Sequence, residues 1–207
     1  MKILNLYAGI GGNRKLWGDE HEVTAVEFEP YIAEVYKEFY PNDTVVVADA
    51  HQYLLDHYQE FDLIWSSPPC PTHSKMSPVN VARGRKKYPD MSLYQEILWL
   101  KHFYKGKWIV ENVRPYYKPL IEPTTVLDRH MIWSNFDIEK RDFDRNYPDG
   151  HKKGRNIGGI TGQTRHTLST AYGIFLPEKT KNQRKLLRNA VLPEMGKYIL
   201  EQAKEQM

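Results

Sequence analysis

Strand-like and helix-like stretches take turns along this sequence, from Lys2 to Val113. Lys2 to Tyr7 is an apolar strand, and a glycine turn leads from it into a short helix over Asn13 to Trp17. Glu22 to Glu27 is a second strand. Pro30 to Phe39 is a helix, with Pro30 in its first turn and Ile32, Val35, Tyr36 and Phe39 on one stripe. Thr44 to Val47 is a strand, Ala50 to Tyr58 a helix, and Phe61 to Trp65 a strand again. Leu93 to Phe103 is amphipathic through Ile97, Leu98 and Leu100, and Trp108 to Val110 forms the strand after it. A repeated strand–helix–strand order implies an α/β fold, a mainly parallel sheet with helices on both faces.

The remainder is less regular. Met76 to Met91 is long, polar and basic, with no periodicity, and reads as a mobile lid. Strand-like pieces recur between Thr124 and Ile138, notably Met131-Ile132-Trp133. Asp142 to Arg165 is polar and rich in glycine, and Pro193 to Gln206 is a final helix. With 207 residues, 41% of them hydrophobic, the chain suits one α/β domain and a small appendage. The divisions expected are a core over 1–138, a reduced segment over 139–182 and a segment returning to the core over 183–207.

One cysteine excludes an intramolecular disulfide and a Cys-rich metal site, so no metal is expected and a reducing cytoplasm is the natural compartment. No apolar run spans a bilayer, and Met1-Lys2-Ile3 does not begin a signal peptide, so no membrane partner is expected. The net charge is only +3, but its distribution is uneven. Basic residues gather in Arg83-Gly84-Arg85-Lys86-Lys87, in Lys152-Lys153-Gly154-Arg155 and along Lys179 to Arg188. Runs flanking one site favour a polyanion.

The lone cysteine, Cys70, lies in Ser66-Ser67-Pro68-Pro69-Cys70-Pro71-Thr72-His73-Ser74. The prolines cannot continue a sheet ladder, so the chain turns just past a strand. Open α/β sheets bind ligands at that edge. A free cysteine is most often a small buried hydrophobe. This one has a poor core context, and basic neighbours would favour its nucleophilic thiolate. His73 also invites a Cys-His hydrolase reading. Glu111-Asn112-Val113 ends another apolar strand. Glu111 there is either a solvated terminus or a cleft carboxyl of raised pKa that shares a proton with a ring nitrogen. Asn112 can lock the neighbouring loop. Leu6-Tyr7-Ala8-Gly9-Ile10-Gly11-Gly12 is a strand, a glycine turn and a helix start, and Glu27 ends the next strand. NAD, S-adenosylmethionine and a purely structural turn all fit that pattern, although adjacent Gly11 and Gly12 depart from the dinucleotide spacing.

In order, these pieces resemble the DNA (cytosine-5)-methyltransferase family. Tyr7-Ala8-Gly9-Ile10-Gly11-Gly12 is similar to its Phe-x-Gly-x-Gly-Gly cofactor motif. Glu27-Phe28-Glu29 resembles the segment whose acid binds the cofactor ribose and whose ring covers the adenine. Asp49 resembles the aspartate that reads the adenine amino group. Pro69-Cys70 resembles the Pro-Cys nucleophile motif and Glu111-Asn112-Val113 the Glu-Asn-Val motif. Arg129, in Asp128-Arg129-His130-Met131, stands for the arginine on the flipped cytosine, and Asn189-Ala190-Val191 for the terminal Gly-Asn-Ser-Val motif. Pro71, Ala190 and Arg188 depart from the family's usual glutamine, serine and glycine.

The resemblance implies a Rossmann-like methyltransferase fold, S-adenosyl-L-methionine as cofactor and DNA as partner, in a minimal form such as bacteriophages encode. Cys70, Glu111, Arg129 and Asn112 would be catalytic. Tyr7, Gly9, Gly11, Gly12, Glu27, Phe28, Asp49, Pro69, Asn189 and Val191 would form the cofactor site. Ser74, Arg83, Arg85, Lys86, Lys87, Gln163 and Arg165 would meet the nucleic acid, and a partner subunit could supply further recognition. Two other readings stay open: a DNA-binding module on a vestigial methyltransferase fold, and a related C5 pyrimidine modification on RNA or with a modified cofactor.

Overall fold

The alternation builds a sheet. In the computed structural model, which describes residues 1–74, 88–143 and 165–207, β1 (Lys2–Leu6), β2 (Glu22–Glu27), β3 (Thr44–Val47), β4 (Leu63–Ser66) and β5 (Lys107–Val113) pair in parallel. β6 (Thr125–Leu127) and β7 (His130–Ser134) complete the seven-stranded order β3-β2-β1-β4-β5-β7-β6, and both join antiparallel.

Strand alternation divides the core. Ile3, Leu63, Trp65 and Ile109 point to one face. Leu4, Leu6, Ile64, Trp108 and Val110 point to the other. On the first face lie α1 (Pro30–Phe39), α4 (Arg165–Tyr172), α5 (Gln183–Asn189) and α6 (Pro193–Glu205). On the second lie α2 (Ala50–His57) and α3 (Ser92–Phe103). Each fully buried aliphatic side chain contributes roughly 1.5–3 kcal/mol, and both faces of the sheet are covered this way.

Several elements differ from the sequence reading. α2 stops at His57 and a 3-10 turn, Tyr58–Glu60, follows it. The buried stripe of α3 is Leu93, Tyr94, Ile97 and Leu100, while Leu98 faces outward. β5 continues to Val113 because β7 pairs with it as far as Val113 opposite His130. Glu111 and Asn112 are therefore interior to a strand rather than at its end. α4 and α5 were not anticipated.

The turn after β1 is tied down from several sides. Asn5 and Asn13 are buried, and Asn13 Nδ2 donates to Asn5 Oδ1 at 2.8 Å. Arg14, in the 3-10 turn Asn13–Leu16, grips Asp43 with bonds of 2.9 and 3.0 Å. Removing one partner of such a buried pair costs about 3–5 kcal/mol. α6 then packs on the turn so closely that a Cβ on Gly196 would stand 2.3 Å from the Asn13 carbonyl oxygen.

Candidate active site

Cys70 lies four residues past the end of β4, at the edge of the sheet where its parallel strands end. Its loop is held by its neighbours. Asn112 Nδ2 donates to the Pro68 carbonyl at 2.9 Å. The Cys70 carbonyl accepts from the N–H groups of His73 and Ser74, both at 3.1 Å. Tyr116 N–H donates to the His73 carbonyl at 3.1 Å, and Ser74 bridges Pro115, so the turn is pinned to the segment leaving β5. His73 is buried and its Nδ1 meets the Tyr117 hydroxyl at 2.6 Å. The imidazole thus anchors the loop through Tyr117, and the Cys-His hydrolase reading loses its motive.

Antiparallel pairing brings in the next groups. Glu111 faces Ile132 and is therefore a diagonal neighbour of His130 on one face of the sheet. The Glu111 carboxylate is buried and its Oε1 bonds His130 Nδ1 in a very short contact. Arg129 Nε donates to His130 Nε2 at 3.1 Å, and Arg129 Nη2 donates to the Arg188 carbonyl at 3.2 Å. A guanidinium only donates, so His130 Nε2 accepts and the ring proton sits on Nδ1, pointing at Glu111. Neither His130 nor Arg188 was among the expected site residues. Nothing in Asp128-Arg129-His130-Met131 marks the histidine; the strand register does.

Two electrostatic expectations are reversed. Burial pushes the Glu111 carboxyl up, but His130, the Ser67 hydroxyl and Arg129 outweigh it and hold the group below the ordinary carboxylate range. The raised value expected from a cleft does not occur, because the cleft supplies donors. Burial pushes the Cys70 thiol up, the Glu111 charge pushes it further, and Arg129 and Arg188 only partly offset this. The resting form is therefore the thiol and not the thiolate expected from basic neighbours.

The turns that leave β1 and β2 bring Gly9 and Glu27 together. Gly9 has a positive φ of 56°, and a Cβ there would meet nothing within 4 Å. Its N–H donates to Glu27 Oε2 at 2.9 Å, and Glu29 N–H donates to Glu27 Oε1 at 3.0 Å. Each carboxylate oxygen keeps a further lone pair for a ligand. Phe28 follows, 66% exposed. Asp49 caps α2 by accepting from Gln52 N–H at 2.8 Å. The other glycines serve packing. A Cβ on Gly11 would strike the Tyr40 and Tyr36 rings, and one on Gly12 would stand 2.4 Å from the Val191 carbonyl. Pro69 and Asn189 are exposed, and Val191 is buried.

Glu96 was also missed. It is buried on α3, where its carboxylate takes the Ser66 hydroxyl, the Tyr7 hydroxyl at 3.0 Å and His51 Nδ1 at 3.3 Å. It ties the β1 turn, the end of β4 and α2 together. A carboxylate three residues after Leu93 and four before Leu100 stands on the apolar stripe, and that position was a readable signal.

Of the residues expected to meet nucleic acid, Ser74 is half-buried in its bridge to Pro115. Arg165 is exposed at the start of α4, with Nη1 bonded to Gln183 Oε1 at 3.2 Å. Arg83, Arg85, Lys86, Lys87 and Gln163 lie outside the described residues, as do most of the proposed lid and of the 142–165 segment. Among the described residues no acidic, histidine or cysteine cluster could hold a metal ion, and no helix is long and apolar enough to cross a membrane.

The family model described as C-5 cytosine-specific DNA methylase matches residues 1–121. No curated protein matches the sequence. A Spodoptera frugiperda DNMT2 structure aligns over 98% of this chain and 99% of its own, at 16% identity and a TM-score of 0.61. The Entamoeba histolytica methyltransferase EhMeth aligns over 100% and 98%, at 10% identity and a TM-score of 0.57. These likenesses establish the architecture, a Rossmann-like methyltransferase fold with a mixed seven-stranded sheet.

Proposed function

The chain belongs to the C-5 cytosine-specific DNA methylase family, and from that premise we propose that it methylates carbon 5 of cytosine in DNA through a covalent Cys70 adduct. The cofactor is S-adenosyl-L-methionine, which supplies an electrophilic methyl group when bound. The turns after β1 and β2 suit it: Gly9 opens onto free space beside Glu27, and the exposed Phe28 ring adjoins them. Glu27 would accept from the ribose hydroxyls, Phe28 would cover the adenine and Asp49 would accept from its amino group. Gly12 and Val191 would close the pocket from the C-terminal side, with Asn189 beside them.

One observation carries the reading: β5 brings Glu111 to the Cys70 loop, where Asn112 holds the Pro68 carbonyl, and Arg129 reaches His130, which bonds Glu111. Carbon 5 of cytosine is a poor nucleophile. Addition of the Cys70 sulfur to C6 forms a bond there and moves an electron pair toward C5 and N3. Glu111 would carry a proton to N3, and Arg129 would hold the O2 side. Burial already favours the neutral form of Glu111 and is opposed only by the donors around it, so a modest change at the site is enough to protonate it. Once Glu111 takes up a proton it no longer repels the thiolate, so protonation of Glu111 and ionisation of Cys70 favour each other, and the proton that leaves the Cys70 thiol balances the one Glu111 passes to N3. His130 keeps the carboxyl aimed, and Asn112 keeps the Cys70 loop in place. After the methyl group has passed to C5, leaving S-adenosylhomocysteine, loss of the C5 proton to solvent, departure of the Cys70 sulfur and return of the N3 proton to Glu111 would restore the ring. The base must leave the duplex to reach these groups.

Incubation with labelled S-adenosyl-L-methionine and either DNA or RNA, followed by nucleoside analysis, tests the proposal. Labelled 5-methyldeoxycytidine from DNA is expected. Label in RNA alone would assign the other substrate, and DNA binding without label from either would assign a binding module.

A further inference from the structure

The basic run from Lys179 to Arg188 ends on α5, and α5 ends at the active site. Arg188 is half-buried and its charge acts on the Cys70 thiol. Its carbonyl holds Arg129. Its buried Nε has no hydrogen-bond partner among the described residues. A buried guanidinium N–H without an acceptor is costly, and such groups are normally satisfied by an incoming partner when the protein itself supplies none.

Beside Arg188 the face of α5 is a shallow, open surface formed by Asn182, Gln183, Arg184, Lys185 and Arg188. It holds cations and amides and no carboxylate. Arg184 and Lys185 are exposed, one helical turn (about 5.4 Å) before Arg188. That spacing is comparable to the distance between neighbouring phosphates along one strand. An anion with regularly repeated charges suits it better than a small molecule.

We propose that α5 receives the phosphate backbone of the DNA strand that carries the target base. Arg188 takes a phosphate beside the nucleotide held at Cys70, and Arg184 and Lys185 take the next one along. This rests on the reading of Cys70 as the residue that engages a base. It adds contacts on α5 to those expected of Arg83, Arg85, Lys86 and Lys87. The role is positional: such contacts set register and affinity and carry no base information.

The test is fluorescence anisotropy of the full chain with labelled duplex DNA over a series of salt concentrations. Each lost phosphate contact reduces the slope of log K against log salt by roughly 0.9. Arg184→Ala with Lys185→Ala should weaken binding and flatten the slope. Arg188→Gly should do the same by one contact, and Arg188→Lys should restore most of it. Lys101→Ala with Lys105→Ala removes as much charge at the opposite edge of the sheet and should leave the slope unchanged. Calorimetric binding of S-adenosyl-L-methionine reports folding, and the double variant decides if Arg188→Gly perturbs it. Unchanged slopes for all α5 variants, equal loss in the control, or an effect seen with RNA and not with DNA would overturn the proposal. A wild type that labels cytosine while its salt slope ignores α5 removes this surface alone. A wild type that shows the expected slopes but labels no cytosine removes the function and leaves the surface.

Discussion

Glu111 and Cys70 oppose each other's ionisation, and that coupling is open to measurement. Glu111→Gln keeps the shape and removes the charge that raises the thiol. Iodoacetamide should then alkylate Cys70 faster at neutral pH, and the midpoint of its pH profile should move down, while methyl transfer falls by at least a hundredfold, the scale of a lost acid–base group. Slower alkylation in Glu111→Gln would break the link. The same residue gives a stability signature. Its folded pKa is depressed, so its contribution is present above the unfolded carboxylate value, about 4.3, and is lost as the pH falls through the lower folded value. Acid unfolding of Glu111→Gln should therefore show a shallower loss over that window than the wild type. At the cofactor site, Glu27→Ala should weaken S-adenosyl-L-methionine binding by one to two orders of magnitude. Loss of a charged hydrogen-bond partner costs roughly 1.5–3 kcal/mol. Calorimetry reads this directly, and undiminished affinity would remove Glu27 from the site.

At the scale of elements, the C-terminal helix matters as much as the strands. α6 meets the turn after β1 through backbone, with Gly196 against Asn13 and Gly12 against Val191. Backbone cannot yield as a flexible side chain can. Gly196→Ala should destabilise the fold by about 1–3 kcal/mol, as overpacking does, and lower the Tm by several degrees. An unchanged melting curve would show that the contact relaxes freely. β2, α1 and β3 were readable to the residue because each has a clean period and a terminal signal such as Pro30. α4 and α5 were not. Arg-His-Thr-Leu-Ser-Thr-Ala-Tyr and Gln-Arg-Lys-Leu-Leu-Arg-Asn are short, polar and weakly periodic, and each is held by packing of Leu168, Tyr172, Leu186 and Leu187 on the sheet.

Across the whole molecule, local pattern revealed the parallel sheet, since it follows from strand order. Cys70, Glu111 and the glycine turn were legible because their types and spacing carry chemistry. His130 was not, because only the register of β7 on β5 sets it beside Glu111. The direction of the pKa shifts at Cys70 and Glu111 was likewise unreadable, since it depends on which charges converge in space. The glycines differ in what surrounds them: a Cβ on Gly9 would meet nothing within 4 Å, whereas one on Gly11 would strike Tyr40 and one on Gly12 the Val191 carbonyl, so packing alone already requires glycine at the latter two. What unites these residues is one claim, that Cys70 forms a bond to the base. DNA carrying 5-fluorocytosine tests it most directly, because fluorine cannot leave C5 as a proton does and the adduct cannot eliminate. With S-adenosyl-L-methionine present, mass spectrometry should find the DNA attached to the peptide containing Cys70, and Cys70→Ala should bind cofactor yet form no adduct and transfer no methyl group. Full methyl transfer by Cys70→Ala, or active wild-type protein that never forms the adduct, would contradict it.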